Sequence, residues 1–90
     1  MRKYLQEYVY EKIWQELSAE DQRVLYGIAK TPGGSVASTR EYLQMTSNGF
    51  TPYRTRLIRK GIINGDTYGI VRFELPLFED FVLENYIHDE

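Results

Sequence analysis

Cysteine is absent from the 90-residue chain, and histidine and tryptophan occur once each. Without cysteine, a disulfide framework and a thiolate-bound metal are both excluded. Long apolar runs are also missing. Charged residues interrupt the N-terminal stretch MRKYLQEYVYEKIW every few positions, which is unlike a signal peptide or a membrane span. We therefore expect no membrane association and a cytoplasmic location.

Residue types that carry catalysis are equally scarce. The single histidine, His88, lies near the C-terminus, and the phosphate-binding pattern GxxxxGK[ST] does not occur. Glu79, Asp80 and Glu84 are better explained as the solvated face of a helix than as a carboxylate cage for a metal ion. We therefore predict that this chain is not an enzyme and holds no cofactor or metal.

Charge is distributed unevenly along the chain. The net charge of −2 and the pI of about 5.4 argue against a strongly nucleic-acid-binding domain taken as a whole. Residues 38–73, however, contain six Lys or Arg and two acidic side chains, whereas residues 74–90 contain six acidic side chains and no Lys or Arg. With 42% hydrophobic residues, the sequence predicts one globular domain over residues 1–90, with a basic middle and an acidic tail.

Apolar side chains at three- and four-residue steps predict a first helix over residues 3–17. The predicted stripe consists of Leu5, Tyr8, Val9, Ile13 and Leu17. Tyr4, Tyr10 and Trp14 make this helix more apolar than one small core requires. These aromatic residues either pack in the core or dock on a sister subunit or a preceding domain, and the sequence leaves both open.

Caps and turn formers predict the next segments. SAED at 18–21 resembles a capping box and opens a second helix that ends near Lys30. TPGG at 31–34 and TSNG at 46–49 are predicted turns. Between them, STRE at 38–41 is a capping box that opens a third helix. The inward-facing residues of that helix are predicted to be Tyr42, Leu43 and Met45.

The stretch FTPYRTRLIRK, residues 50–60, is predicted to be a DNA-recognition helix. At 100° per residue its apolar face consists of Phe50, Tyr53 and Leu57, with Ile58 at the edge. Its opposite face consists of Pro52, Thr55, Arg56 and Arg59. An apolar back and a basic front let a helix seat in a core and face a duplex. Thr51 is predicted as its N-cap, with Ser47 as the alternative, and Gly61 as its C-terminal cap.

A hairpin and a last helix are predicted after this segment. Ile62 and Ile63 begin a short strand, the segment 64–69 with its Asn-Gly pair forms the turn, and 70–75 alternates as a half-buried strand. Pro76 then starts a helix with acidic residues in its first turn. Its apolar residues are Leu77, Phe78, Phe81, Val82 and Tyr86.

The order of these elements predicts the fold class. Helix, helix, short turn, basic helix, two-stranded hairpin and helix follow each other as in a winged helix-turn-helix. We therefore predict a mainly α fold with a small β-hairpin, a winged helix-turn-helix with additional N-terminal and C-terminal helices. Residues 1–17 form the N-terminal helix, 18–75 the core and wing, and 76–90 the C-terminal helix.

Three segments together carry a likeness to a known family: LSAEDQRVLYGIA at 17–29, FTPYRTRLIRKGII at 50–63 and VRFELPLFEDFV at 71–82. They resemble the C-terminal winged-helix domain of bacterial and archaeal AAA-type ATP-binding proteins. The Leu-Pro-Leu-Phe join at 75–78 and the Tyr-Arg-x-x-Leu-Ile-x-Lys-Gly stretch at 53–61 are the most specific parts. The resemblance implies that a P-loop ATPase module precedes this domain in a longer polypeptide.

The leading functional hypothesis is a module that binds double-stranded DNA. The predicted contacts are Thr55, Arg56 and Arg59 at the major groove, Arg40 and Lys60 at phosphates, and Arg72, Asn64 and Thr67 at the adjacent backbone. Arg54 lies near the apolar stripe and is predicted to pair with a carboxylate of the domain instead. The acidic final helix is expected to point away from the duplex.

The alternative is a protein-interaction module. Winged helices also serve protein contacts, and a negative net charge disfavours an autonomous DNA-binding domain. The basic helix would then meet an acidic surface, such as the ATPase module. The Tyr- and Trp-rich helix 3–17 would form the seam of a homodimer.

Overall fold

The computed structural model describes residues 2–75 and 77–86, with side chains from residue 8 onward except at position 32. The predicted roles of Tyr4, Leu5, Pro76 and His88 fall outside this description. The elements in order are α1 (Arg2–Glu16), α2 (Ala19–Lys30), a 3-10 turn (Pro32–Gly34), α3 (Val36–Leu43), α4 (Ser47–Arg59), β1 (Ile63–Asn64), β2 (Arg72–Phe73) and α5 (Phe78–Asn85). The fold is thus mainly α with a small antiparallel hairpin, and its order is consistent with a winged-helix layout.

The core is built around α2, which contacts α3, α4 and α5. The fully buried aliphatic and aromatic side chains are Val24, Leu25, Phe50, Leu57, Ile62, Ile63, Val71, Phe78 and Val82. Full burial of such a side chain contributes about 1.5–3 kcal/mol. Because Phe50 and Leu57 both lie in this core, the apolar face of α4 is oriented as predicted and the opposite face is turned to solvent.

Aromatic rings attach α1 to α5. Tyr10 is buried and meets Phe78 edge-on, with the ring centroids 5.0 Å apart. Trp14 is half-buried and meets Phe81 edge-on, with the centroids 6.2 Å apart. Of the two uses considered for Trp14, packing within the chain is therefore the one observed.

The predicted apolar stripe of α1 is wrong at two positions. Tyr8 and Val9 are 66% and 50% exposed. Ile13 and Leu17 face the core as predicted, and Tyr10 and Trp14 take the places of Tyr8 and Val9 beside them. These follow the i, i+3, i+4, i+7 spacing of one helix face, and that register turns positions 8 and 9 outward.

The third helix begins earlier than predicted. Ser35 is its N-cap, because the Ser35 Oγ accepts a hydrogen bond from the Ser38 backbone N–H at 3.2 Å. The predicted capping box at 38–41 is therefore wrong. Leu43 is buried and Met45 half-buried as predicted, but Tyr42 is 50% exposed and the prediction that it faces inward is wrong.

The basic helix also begins earlier than predicted. Thr46 is its N-cap, and its Oγ1 accepts a hydrogen bond from the Gly49 N–H at 3.0 Å. Both predicted caps, Thr51 and Ser47, are therefore wrong. Pro52 lies inside the helix, where its missing N–H leaves one bond of the second turn unmade. Residues 44–46 form the three-residue turn between α3 and α4.

Gly61 ends the basic helix as predicted. Its φ angle is +78°, and its N–H donates to the Ile58 carbonyl at 2.9 Å. The N–H of Ile62 donates to the Leu57 carbonyl at 3.1 Å. This pair of bonds is the Schellman motif, which favours glycine because the residue is left-handed.

The wing is a short hairpin with a third segment beside it. Ile63 lies opposite Phe73 in the antiparallel pair. The first strand begins one residue later than predicted, and the second has two residues where the sequence predicted six. The segment before α3, predicted as a turn, also pairs with the hairpin: the Val71 N–H donates to the Gly34 carbonyl at 2.8 Å. Gly34 has a φ angle of +71°, and a Cβ there would overlap the Val71 carbonyl oxygen. This close approach requires glycine.

The final helix begins after Leu77, which is 66% exposed with a φ angle of +64°. The prediction that Leu77 belongs to the apolar face is therefore wrong. Phe78 and Val82 are fully buried, as predicted. Glu79 and Asp80 occupy the first turn, where the helix dipole favours acidic side chains.

Candidate nucleic-acid interface

An open groove with a volume of about 700 Å³ lies between α3, α4 and the loop 65–71. Its polar lining includes Arg40 on α3, Thr51 and Arg54 on α4, and Asp66 and Tyr68 on the loop. We call this groove the wing groove. The groove lies between the wing and the two helices of the helix-turn-helix unit, α3 and α4. A duplex would contact this architecture at that place.

The Arg54 side chain extends from α4 across the wing groove toward the loop. A Cβ added to Gly65 would overlap the Arg54 Nη2 and lie 3.2 Å from the Ile58 Cδ1. A side chain at position 65 would therefore displace the Arg54 guanidinium from this place beside the loop, whereas the left-handed residue of the loop is Gly69, with a φ angle of +75°. The predicted carboxylate partner of Arg54 is not found among the residues that the structure describes.

Arg56 makes the ion pair that was expected of Arg54. Its Nη2 lies 2.9 Å from the Asp21 Oδ1, and its guanidinium lies 5.2 Å from the centre of the Tyr53 ring. Arg56, a predicted major-groove contact, is therefore held by an ion pair within the domain, although its side chain is still 46% exposed. Since the two arginines are two positions apart, they project about 200° apart around α4, one toward the wing and one toward α2.

The acidic partner is fixed at the start of α2. The Asp21 N–H donates to the Oγ of the N-cap Ser18 at 3.1 Å, and the Asp21 side chain is only 5% exposed. The Arg56 side chain is 46% exposed, so the pair lies at the edge of the core. The positive end of the α2 dipole also stabilises the carboxylate at this position. The pair therefore ties the recognition-type helix to the central helix.

The remaining predicted DNA-binding residues divide into two groups. Thr55 and Arg59 are exposed on the outward face of α4, and Thr67 is exposed in the loop beside the wing groove. Lys60 instead lines a small cleft at the end of α1, beside Glu16.

Two of the predicted wing residues are turned to other parts of the surface. Arg72 lines a separate cleft with Gly33 and Glu79, away from the residues of the wing groove. Asn64 donates through its Nδ2 to the Glu74 Oε1 at 3.2 Å. Of the predicted phosphate and backbone contacts, Arg40 thus lines the wing groove near α4 and the loop. Lys60 and Arg72 line other clefts.

A family model matches residues 7–82, which include the wing groove and the Asp21–Arg56 pair. The chain belongs to this family, DUF8462. The family is described as a domain of unknown function. Comparison with curated proteins and with solved structures gives no match. The DUF8462 assignment names no activity, so the function is argued from the surface of the domain.

Two features of the DUF8462 surface were missed by the sequence analysis. Tyr68 is fully exposed beside the wing groove, and Thr51, predicted as a cap, lines the same groove. The sequence indicates Tyr68 only through its place among turn-forming residues of the predicted wing. Thr51 was not recognised because α4 begins four residues before it.

The part of the chain that the structure describes contains neither a membrane-spanning helix nor a cluster of metal ligands. There, none of the helices combines the length and the apolar character that crossing a bilayer requires. Within the same residues, no three histidine or acidic side chains gather closely enough to hold a metal ion.

Proposed function

We propose that this domain binds double-stranded DNA with the outward face of α4 and the wing groove. The observation that supports the proposal most strongly is the position of Arg54. It shares the wing groove with Arg40, and neither arginine has an ion-pair partner among the described residues. Arginines left without an acidic partner beside an open groove are suited to bind phosphates.

The proposed contacts follow from the directions of the side chains. Thr55 and Arg59, on the outward face of α4, are assigned to base edges in the major groove. Arg40 and Arg54 are assigned to the phosphate backbone on the wing side. Arg56 is left out of this set because it is held by Asp21. The protein would act in the cytoplasm, the compartment that holds DNA in bacteria and archaea.

Two phosphate contacts imply weak binding that is best measured at low salt. Each contact lowers the slope of log affinity against log salt by about 0.9. We therefore expect a slope near −2 for Arg40 and Arg54 together, which is shallow for a DNA-binding domain. The acidic residue of the wing groove, Asp66, makes the slope shallower still, because it repels phosphate.

Fluorescence anisotropy titrations of a labelled duplex test this proposal. Arg54→Ala and Arg40→Ala should each weaken binding and reduce the magnitude of the salt slope by about one. Lys12→Ala is the matched control, because it also removes one positive charge and Lys12 is exposed on α1. Equal affinities for Arg54→Ala and Lys12→Ala would remove the wing groove from the proposed interface.

Protein docking is the second candidate function. The exposure of Tyr8 and Val9 on α1 favours it, because these side chains remain available to a partner after the core is formed. A dimer that is indifferent to DNA at low salt, and that becomes a monomer in the Tyr8→Ala/Val9→Ser variant, would support docking. Analytical ultracentrifugation of the domain with and without duplex distinguishes the two functions.

The resemblance to AAA-type proteins also remains a proposal. We infer that the domain acts as the C-terminal part of an ATPase, which would bring the wing groove to DNA in response to nucleotide. Reading the open reading frame upstream for GxxxxGK[ST] tests this directly.

A further inference from the structure

Tyr68 is the most exposed of the large hydrophobic side chains among the described residues, at 101% of its reference surface. Its ring therefore contributes nothing to the core. The loop that carries it is nevertheless fixed at its end: the Ile70 N–H donates to the Thr67 carbonyl at 3.0 Å, and the Val36 N–H donates to the Gly69 carbonyl at 2.9 Å. The fixed backbone of this loop thus presents an exposed aromatic ring beside the wing groove.

We propose that Tyr68 stacks on an unpaired base at a junction between duplex and single-stranded DNA. This inference rests on the proposed function and names the form of DNA that the wing groove would recognise. Base–aromatic stacking needs an exposed ring face and tolerates any base, because every base has a π-face. Arg40 and Arg54 line the same groove as Tyr68 and would hold the backbone on either side of the stacked base.

The phenolic hydroxyl favours an unpaired base over insertion into a continuous duplex. Side chains that wedge between paired bases are mainly apolar, such as Phe, Leu, Ile, Met and Pro. Insertion between paired bases would bury the Tyr68 hydroxyl where the base stack supplies no hydrogen-bond partner, which costs free energy. On an unpaired base at a junction, the ring covers the base while its hydroxyl stays in water. Within a continuous duplex each base face is also covered by its neighbours, so only the terminal pairs expose a face to the ring.

The groove chemistry selects nucleic acid over an acidic protein surface as the occupant. Two arginines and an exposed tyrosine on one groove match a chain that alternates phosphates with aromatic bases. Asp66 on the same loop repels phosphates and acidic side chains alike, so charge alone does not choose between the two. The ring is what distinguishes a nucleic acid with accessible bases from other anions.

The test compares a blunt duplex with a forked duplex that has the same paired sequence and a 2-aminopurine at the first unpaired position. We expect the wild-type chain to bind the fork about 5-fold to 140-fold more tightly than the blunt duplex, the range of one base–aromatic stack. The 2-aminopurine fluorescence should be quenched on binding. Tyr68→Ala should abolish the preference and the quenching, whereas Tyr68→Phe should keep both.

Tyr42→Ala is the matched control. Tyr42 is a half-exposed tyrosine on α3, about 200° around the helix from Arg40, so its removal should leave the fork preference unchanged. Tyr68→Ala is expected to keep the thermal midpoint of the wild type, because the ring makes no packing contribution.

The outcomes separate this inference from the proposed function. Equal wild-type affinity for fork and blunt duplex would overturn the stacking and leave duplex binding in place. A fork preference that survives in Tyr68→Ala would also overturn it. If the wild type binds neither DNA at low salt, both the stacking and the proposed function are refuted.

Discussion

The Asp21–Arg56 ion pair gives the sharpest stability prediction. Arg56→Ala leaves the Asp21 carboxylate, with a side chain only 5% exposed, without its cation. Two unit charges 4 Å apart attract by about 4 kcal/mol at an effective dielectric constant of 20. Loss of one partner costs about 3–5 kcal/mol for buried pairs, whereas exposed pairs contribute about 0–1 kcal/mol. Because Arg56 is 46% exposed, solvent screening places the expected loss between these limits, at about 1–2 kcal/mol.

Urea unfolding followed by tryptophan fluorescence measures this loss. Trp14 is half-buried against Phe81, so its emission reports the packing of α1 on α5. For a domain of this size, each 1 kcal/mol lowers the melting temperature by about 4–8 °C. Arg59→Ala is the control, since Arg59 is an exposed arginine of the same helix. The Asp21→Asn/Arg56→Ala double variant should be less destabilised than the sum of its single variants.

Equal stabilities would refute the reasoning. If the free energies of unfolding of Arg56→Ala and Arg59→Ala differ by less than about 0.3 kcal/mol, the pair does not tie α4 to α2. Substitution of an ordinary surface residue produces differences of that size. Additive losses in the double variant would show that Asp21 and Arg56 act independently.

Three further predictions concern backbone and core, each measured by urea unfolding. Gly34→Ala should lower the free energy of unfolding by more than about 2 kcal/mol, because the new Cβ would overlap the Val71 carbonyl. Gly33→Ala is the control: Gly33 also has a positive φ angle, +79°, but open space around it, so the loss should be about 1 kcal/mol. Equal losses would contradict the close approach at Gly34. Gln44→Gly should gain about 0.5–1 kcal/mol, since Gln44 ends α3 with a φ angle of +59°. Phe78→Ala should cost about 3–5 kcal/mol, because Phe78 is fully buried, and a smaller loss would mean that the site collapses readily.

The helix faces were predictable from the sequence, whereas the helix starts were not. The inward residues of α4, Phe50 and Leu57, follow from periodicity because burial selects one face. Helix starts depend on which of several nearby hydroxyl residues caps the helix. The local sequence favours Ser38 as the N-cap of α3, whereas the observed cap is Ser35. The segment 35–36 is positioned by a hydrogen bond from the Val36 N–H to the Gly69 carbonyl in the wing, which no local pattern shows.

The arginine directions illustrate the same limit at the candidate site. The 200° separation of Arg54 and Arg56 follows from helix geometry alone. Which of the two meets a carboxylate depends on Asp21, which is 35 residues away in the chain and is brought close only by the packing of α2 on α4. Sequence spacing therefore predicted that one arginine is structural, but it assigned that role to the wrong one.

The division of the arginines also determines which variants test function. Arg56→Ala removes a positive charge and an intramolecular tie together, so reduced DNA binding by this variant has two explanations. Arg54→Ala removes a charge from the wing groove, and no ion pair of the described residues is broken. If DNA binding is a property of the wing side of α4, Arg54→Ala should weaken it at unchanged stability. The contrary result is a loss of binding that occurs only in Arg56→Ala and is proportional to its loss of stability. DNA binding would then require only that α4 is folded, and the surface that contacts DNA would lie outside the wing groove.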